Sequence, residues 1–131
     1  MRLEKNTIPV KVKKAWGYEI WIHNDAQYCG KILHFNEGGK FSMHYHLIKN
    51  ETWYIASGKF LFVGIDPENA NEYEMELKPG DILEVDRGYP HQLFAVEEGD
   101  IFEVSTEHFN EDSYRVRKGD SQKSDHDWNG V

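Results

Sequence analysis

Apolar and polar positions alternate in short runs through most of this chain, and glycine, proline, asparagine and aspartate separate the runs. The alternation predicts ten strands: Ile8–Val12, Gly17–Ile22, Gln27–Phe35, Phe41–Tyr45, Thr52–Ser57, Lys59–Ile65, Glu72–Leu77, Ile82–Val85, Gln92–Val96 and Asp100–Ser105. Turn chemistry stands between them, as in Asn36-Glu37-Gly38-Gly39, Asp66-Pro67-Glu68-Asn69 and Lys78-Pro79-Gly80-Asp81. No segment before position 107 keeps a helical period over a window of about 11 residues, so no helix is expected there. Short strands with turns every 8–12 residues or so predict an all-β sandwich or closed barrel. Closure also removes the exposed edges that invite aggregation.

The pattern changes near the end. Glu107–Arg117 reads as a loop or a short helix, with Asn110 as a possible cap. Lys118–Val131 is polar and reads as a surface tail that includes His126. The expectation is a single domain over 1–131, with a core over about 8–106 and a tail over 107–131.

Composition narrows the class. A chain of 131 residues suits one domain, and its 14% aromatic content can fill a compact β core. Cys29 is the only cysteine, so no disulfide framework or cysteine zinc cluster is expected, and one thiol suits the cytoplasm. The opening Met-Arg-Leu-Glu-Lys-Asn has no apolar signal core, and no apolar run approaches the roughly 20 residues of a membrane helix. The net charge of −8 repels phosphate backbones, which argues against nucleic acid as a partner. A small molecule is the expected partner.

The chemistry concentrates in two blocks. His44 and His46 stand two apart, so a strand puts both imidazoles on one face. Glu51 has the wrong parity to continue that strand, but a turn over Leu47–Asn50 returns it beside the pair. Gly58 then permits a tight hairpin. In the second block, Gly80 through Val85 run into a turn containing Gly88 and Pro90, and His91 opens the next strand. Three imidazoles and a carboxylate suit one divalent ion, Zn, Mn, Fe, Co or Ni, with coordination positions left for water or substrate.

These blocks resemble the paired motifs of the cupin superfamily. Gly38, His44, His46, Glu51 and Gly58 match the first motif, and Gly80, Gly88 and His91 match the second. Asp86 stands where the family often has proline, and Ala95 where it often has asparagine. The resemblance covers about Gly17 to Ser105. It implies a cupin-type β-barrel, a jelly roll, with His44, His46, Glu51 and His91 as the metal ligands. A narrower similarity is to type II phosphomannose isomerase domains. It is carried by Lys14-Ala15-Trp16-Gly17-Tyr18-Glu19, by Ser42-Met43-His44-Tyr45-His46 with Glu51-Thr52-Trp53, and by Glu111 to Val116. Ala15 replaces the proline of that opening, and no sugar-nucleotide transferase domain is attached.

That similarity implies a metal-dependent sugar or sugar-phosphate isomerase or epimerase. The same ligand set also suits a non-haem iron dioxygenase or a non-catalytic sugar-binding cupin. Glu103 stands between Phe102 and Val104; facing inward, its pKa would rise and it could act as a general base. Lys40 and Arg115 are candidates for holding a phosphate, and Tyr45 and Tyr89 for stacking on a sugar ring. A homodimer is expected, with the apolar strand Ile8–Val12 as its means of pairing.

Overall fold

The computed structural model describes residues 3–5 and 8–122. Eleven strands form two antiparallel sheets: β1 (Val10–Lys14), β2 (Gly17–Asn24), β3 (Cys29–Phe35), β4 (Met43–Tyr45), β5 (Glu51–Ile55), β6 (Lys59–Ile65), β7 (Glu72–Leu77), β8 (Ile82–Val85), β9 (His91–Glu97), β10 (Gly99–Ser105) and β11 (Tyr114–Arg117). Sheet A runs β1-β2-β3-β10-β5-β8 and sheet B runs β11-β4-β9-β6-β7. The arrangement is the expected cupin jelly roll. No helix among the described residues is long and apolar enough to cross a membrane.

Alternation decides what lies between the sheets. On β3 every second residue, Cys29, Lys31, Leu33 and Phe35, is buried, while Ile32 and His34 face outward. The core gathers Trp16, Phe35, Phe41, Trp53, Ile55, Phe60, Leu93 and Ile101, with Trp16 stacked on Phe35 at 4.3 Å between ring centroids. Two glycines are dictated by geometry. Gly58 has φ +83°, and an added Cβ would lie 2.7 Å from the Glu98 carbonyl oxygen and the Gly99 Cα. Gly88 has φ +79°, and its N–H donates to the His46 carbonyl at 2.5 Å, tying the second block to the first.

Two expectations are corrected. The tail does not begin at 107. Tyr114–Arg117 is a strand on β4, and Asp120–Gln122 is a single 3-10 turn. Gly119 is pressed so closely on Phe41 and Ser42 that a Cβ there would lie 2.3 Å from their backbone, and Ser121 is buried. Polar composition hid this because the segment is held by main-chain hydrogen bonds: Asp120 N–H donates to the Lys40 carbonyl, and Lys40 N–H donates to Asp120 Oδ2. The remaining tail, including His126, lies outside the described residues. The strand expected at Ile8–Val12 is shifted to Val10–Lys14 and pairs with β2 of its own chain, which occupies one of its edges.

Candidate metal centre

Three imidazoles meet between the sheets. His44 and His91 sit directly opposite each other on the paired strands β4 and β9, and His46 follows His44 at the next inward position. One ring nitrogen from each lies within 4.8 Å of the others, and all three residues are buried.

Each ring is oriented by its other nitrogen. His44 Nδ1 donates to the Ser42 carbonyl at 2.6 Å, His46 Nδ1 to the Asp112 carbonyl at 2.6 Å, and His91 Nδ1 to the Tyr89 carbonyl at 2.9 Å. A carbonyl oxygen can only accept, so each Nδ1 carries a proton. Burial also disfavours the imidazolium. It holds His44 well below the usual histidine range and lowers His46 and His91 to about 4. At neutral pH the three Nε2 atoms therefore present lone pairs, fixed by backbone acceptors as in metal-binding histidines generally.

Glu51 stands beside the three histidines, next to His46. The chain turns over residues 47–50 and re-enters at β5, as the parity argument required. Asp112 pins this turn, accepting from the N–H groups of Leu47 at 2.8 Å, Ile48 at 3.2 Å and Lys49 at 3.0 Å. Glu51 Oε1 accepts from the Trp53 indole at 2.6 Å, and Oε2 lies 3.3 Å from His46 Nε2. The two atoms thus face each other, and burial pushes the Glu51 carboxyl above its usual range. Neither Glu51 Oε2 nor His91 Nε2 has a hydrogen-bond partner, although both are buried. Unpartnered polar atoms are costly in a dry interior, and a divalent cation held by the three converging imidazoles, with Glu51 beside His46, would relieve that cost.

The surrounding cavity is narrow, about 30 Å³, and charged. Its walls include Lys31, Lys49, Glu19, Glu103 and His108 beside the histidines. The Lys49 ammonium lies 3.2 Å from Glu103 Oε2, 3.6 Å from Glu51 Oε2 and 3.4 Å from His108 Nδ1. Lys31 pairs with Glu19 at 3.4 Å and sits 4.5 Å above the Trp21 ring.

Glu103 faces inward, but the expected rise in its pKa is overturned. Burial pushes the carboxyl up, yet the Lys49 and Lys31 ammoniums outweigh it and hold Glu103 at about 2. The sequence reading missed Lys49 and Lys31. Lys31 carried a signal, because it shares inward parity with Cys29, Leu33 and Phe35. Lys49 lies in a turn, where no parity marks it.

The proposed substrate contacts do not gather here. Tyr45 lies on the opposite face of β4 from the histidines and stacks on Tyr114 at 5.3 Å. The Tyr89 ring lines a separate cleft with Phe62 and Tyr73, and its hydroxyl meets that of Tyr73; only its carbonyl serves the centre. Lys40 bridges to Phe94 and holds Asp120, outside the cavity wall. Arg115 pairs in register with His44 on β11 and is exposed. Strand alternation explains Tyr45, since the residue between two inward histidines must face outward.

A two-sheet β-barrel with three inward imidazoles at one end defines a class of barrels built around an interior donor site. The chain belongs to the cupin domain family, whose pattern matches residues 31–105. No curated protein matches the chain. Among solved structures it is similar to a tryptophan-to-tyrosine variant of oxalate decarboxylase from Bacillus subtilis, with TM-score 0.73 and 16% identity over 82% of this chain and 30% of that one. The same enzyme, described with Mn(II) centres, gives TM-score 0.72 and 15% identity over 82% and 30%. The capsular polysaccharide assembling protein CapF from Staphylococcus aureus gives TM-score 0.73 and 16% identity over 86% and 33%. The chain spans about a third of the length of these proteins. At such identity the likeness shows the fold.

Proposed function

We propose that His44, His46, His91 and Glu51 hold one divalent cation, and that the chain is a metal-dependent enzyme acting on a small oxygen-rich molecule. The observation that carries this is the pair of facing atoms, His46 Nε2 and Glu51 Oε2 at 3.3 Å, beside the orphaned His91 Nε2. Three nitrogens and one oxygen suit Zn, Mn, Fe, Co or Ni. Bound there, the ion would polarise a carbonyl or hydroxyl oxygen and stabilise negative charge building on it.

Within that class we favour a sugar or sugar-phosphate isomerase or epimerase. The segment Lys14–Glu19, which carries the narrower resemblance, contributes Trp16 and Glu19 to the cavity wall. A volume of about 30 Å³ leaves room for an ion and about one water-sized group, so only the reacting end of a substrate enters. Glu103 is the group proposed to move a proton between neighbouring carbons. Lys49 holds it ionised in the resting site; a substrate oxygen that takes the Lys49 hydrogen bond lets burial raise the carboxyl toward a useful basicity. A homodimer and a cytoplasmic setting, consistent with the one buried thiol, complete the reading.

The test is metal analysis joined to turnover. Protein purified without added metal should carry about one equivalent of a transition metal per chain, and the metal-loaded form should interconvert aldose and ketose phosphates. A chelated sample working at the metal-loaded rate overturns the isomerase reading. Iron content with O2 uptake redirects it to an oxygenase.

A further inference from the structure

The outward face of sheet A is apolar where solvent would favour polar residues. In an antiparallel sheet with one face on a core, the other usually carries polar side chains. Here the register sets Ile20, Ile32, Phe102, Tyr54 and Ile82 side by side across β2, β3, β10, β5 and β8. Val104 lies in the neighbouring row, and Ile22 packs over Gly30 at the β2 bulge. Relative exposure is 69% for Ile82, 63% for Ile22, 61% for Val104, 45% for Tyr54 and 43% for Phe102. On β10 the usual arrangement is inverted, with Glu103 inside and Phe102 and Val104 outside. No charged side chain interrupts the row between β2 and β8.

Sheet B does not share this character. Its edge strand β7 turns Glu72, Glu74 and Glu76 to one side and keeps Leu77 buried on the other.

We propose that the outward face of sheet A is the surface on which two copies of this chain pack, sheet against sheet. This rests on the dimer expected above but not on the metal reading, and it replaces the Ile8–Val12 strand as the means of pairing. Three observations select a second copy as the occupant. The face spans six strands at about 4.8 Å spacing, about 24 Å across, and about 24 Å along β10, so it offers about 600 Å² per partner, and the two copies together reach the roughly 1,200 Å² at the low end of stable interfaces. The row is apolar throughout, and the acidic groups of the same face, Asp100 and Glu84, lie in the rows on either side of it, so the central contact between two copies of a chain of net charge −8 brings no like charges together. Its two ends also differ in sign. The β1 end is basic through Lys11, held 4.1 Å above the Tyr18 ring, and Lys13, whereas the β8 end carries Glu84. A two-fold axis along the strands lays the basic end of one copy over the acidic end of the other, a self-complementary arrangement.

Sedimentation and light scattering on the full chain should give twice the chain mass. Phe102→Lys should halve the observed mass while far-UV circular dichroism stays unchanged. Glu74→Lys on sheet B should leave the dimer intact. Phe102→Cys, close to the proposed axis, should crosslink two chains under oxidation, since Cys29 is buried. A wild-type chain that stays monomeric overturns the dimer itself. A dimer that survives Phe102→Lys, with no crosslink through Phe102→Cys, overturns this face and leaves the dimer to another surface.

Discussion

The two ends of the barrel interior are equally buried and chemically opposite. Four strands run from one to the other. β5 passes from Glu51 through Trp53 to Ile55, β9 from His91 through Leu93 to Ala95, β3 from Lys31 through Leu33 to Phe35, and β10 joins Glu103 to Ile101. At one end Phe35, Ile55, Phe60, Leu93, Ala95 and Ile101 are wholly inaccessible to solvent. At the other, five charged groups and three histidines are shielded almost as completely. The apolar end is stabilised by burial itself, at roughly 25 cal/mol per Å². The polar end is tolerated because its charged groups are paired, Lys31 with Glu19 and Lys49 with Glu103 and Glu51, while Glu51 Oε2 and His91 Nε2 stay without a hydrogen bond. The contrast teaches that one inward periodicity can build a core and a reactive site on the same strands, the difference resting on a single residue choice at each step.

The largest break in this contrast comes from His46→Ala. It should abolish metal retention, read by elemental analysis after dialysis, with the fold preserved by circular dichroism. Retention of a full equivalent would remove His46 from the centre. Next is Lys49→Met, which leaves Glu103 and Glu51 without their shared cation. Removing one partner of a buried pair costs about 3–5 kcal/mol, so the denaturation midpoint should fall sharply. Adding Glu103→Leu should recover part of the loss, because no unpaired charge then remains at that position. If Lys49→Met unfolds like the wild type, the charged end is not held by this pairing.

Acid should separate the two ends. His46 and His91 sit at about 4 in the folded metal-free chain, against 6.5 when unfolded. Between those values the unfolded chain binds protons that the fold refuses. Their contribution is therefore complete above pH 6.5 and lost as pH falls toward 4. Glu103, at about 2 folded against 4.5 unfolded, extends the loss from pH 4.5 down to 2. Denaturant titrations of the metal-free chain should show stability dropping over the first window, and a flat profile there would contradict the buried neutral histidines. The mildest test is Ile55→Val at the apolar end, expected to cost about 0.5–1.5 kcal/mol with metal content unchanged.

The sequence revealed these two ends unevenly. His44, His46 and His91 were legible because the spacing of two and the framing glycines tie residue type to strand geometry. Glu51 was legible from its broken parity. Lys31 and Glu19 were overlooked because charged residues ordinarily belong to the surface, although both share parity with buried neighbours. Strand β11 gave no contrast to detect, since Tyr114, Arg115, Val116 and Arg117 are all exposed. Asn110 suggested a helix cap, whereas the capping carboxylate in this region is Asp112, which serves a turn more than sixty residues earlier in the chain. Contacts across such separations leave no trace in local pattern. The register that set hydrophobic residues on the outside of sheet A was likewise invisible until strand neighbours were known.

His46 takes its orientation from a carbonyl 66 residues further along. While the protein is being synthesised, the histidine emerges long before the residue that will aim it. A ribosome-bound chain stopped short of Asp112 would carry three histidines with only two of them braced and the turn before Glu51 unpinned. On the proposed metal reading, the centre is complete only once Asp112 has joined the fold, so an ion taken up there would meet an already assembled barrel.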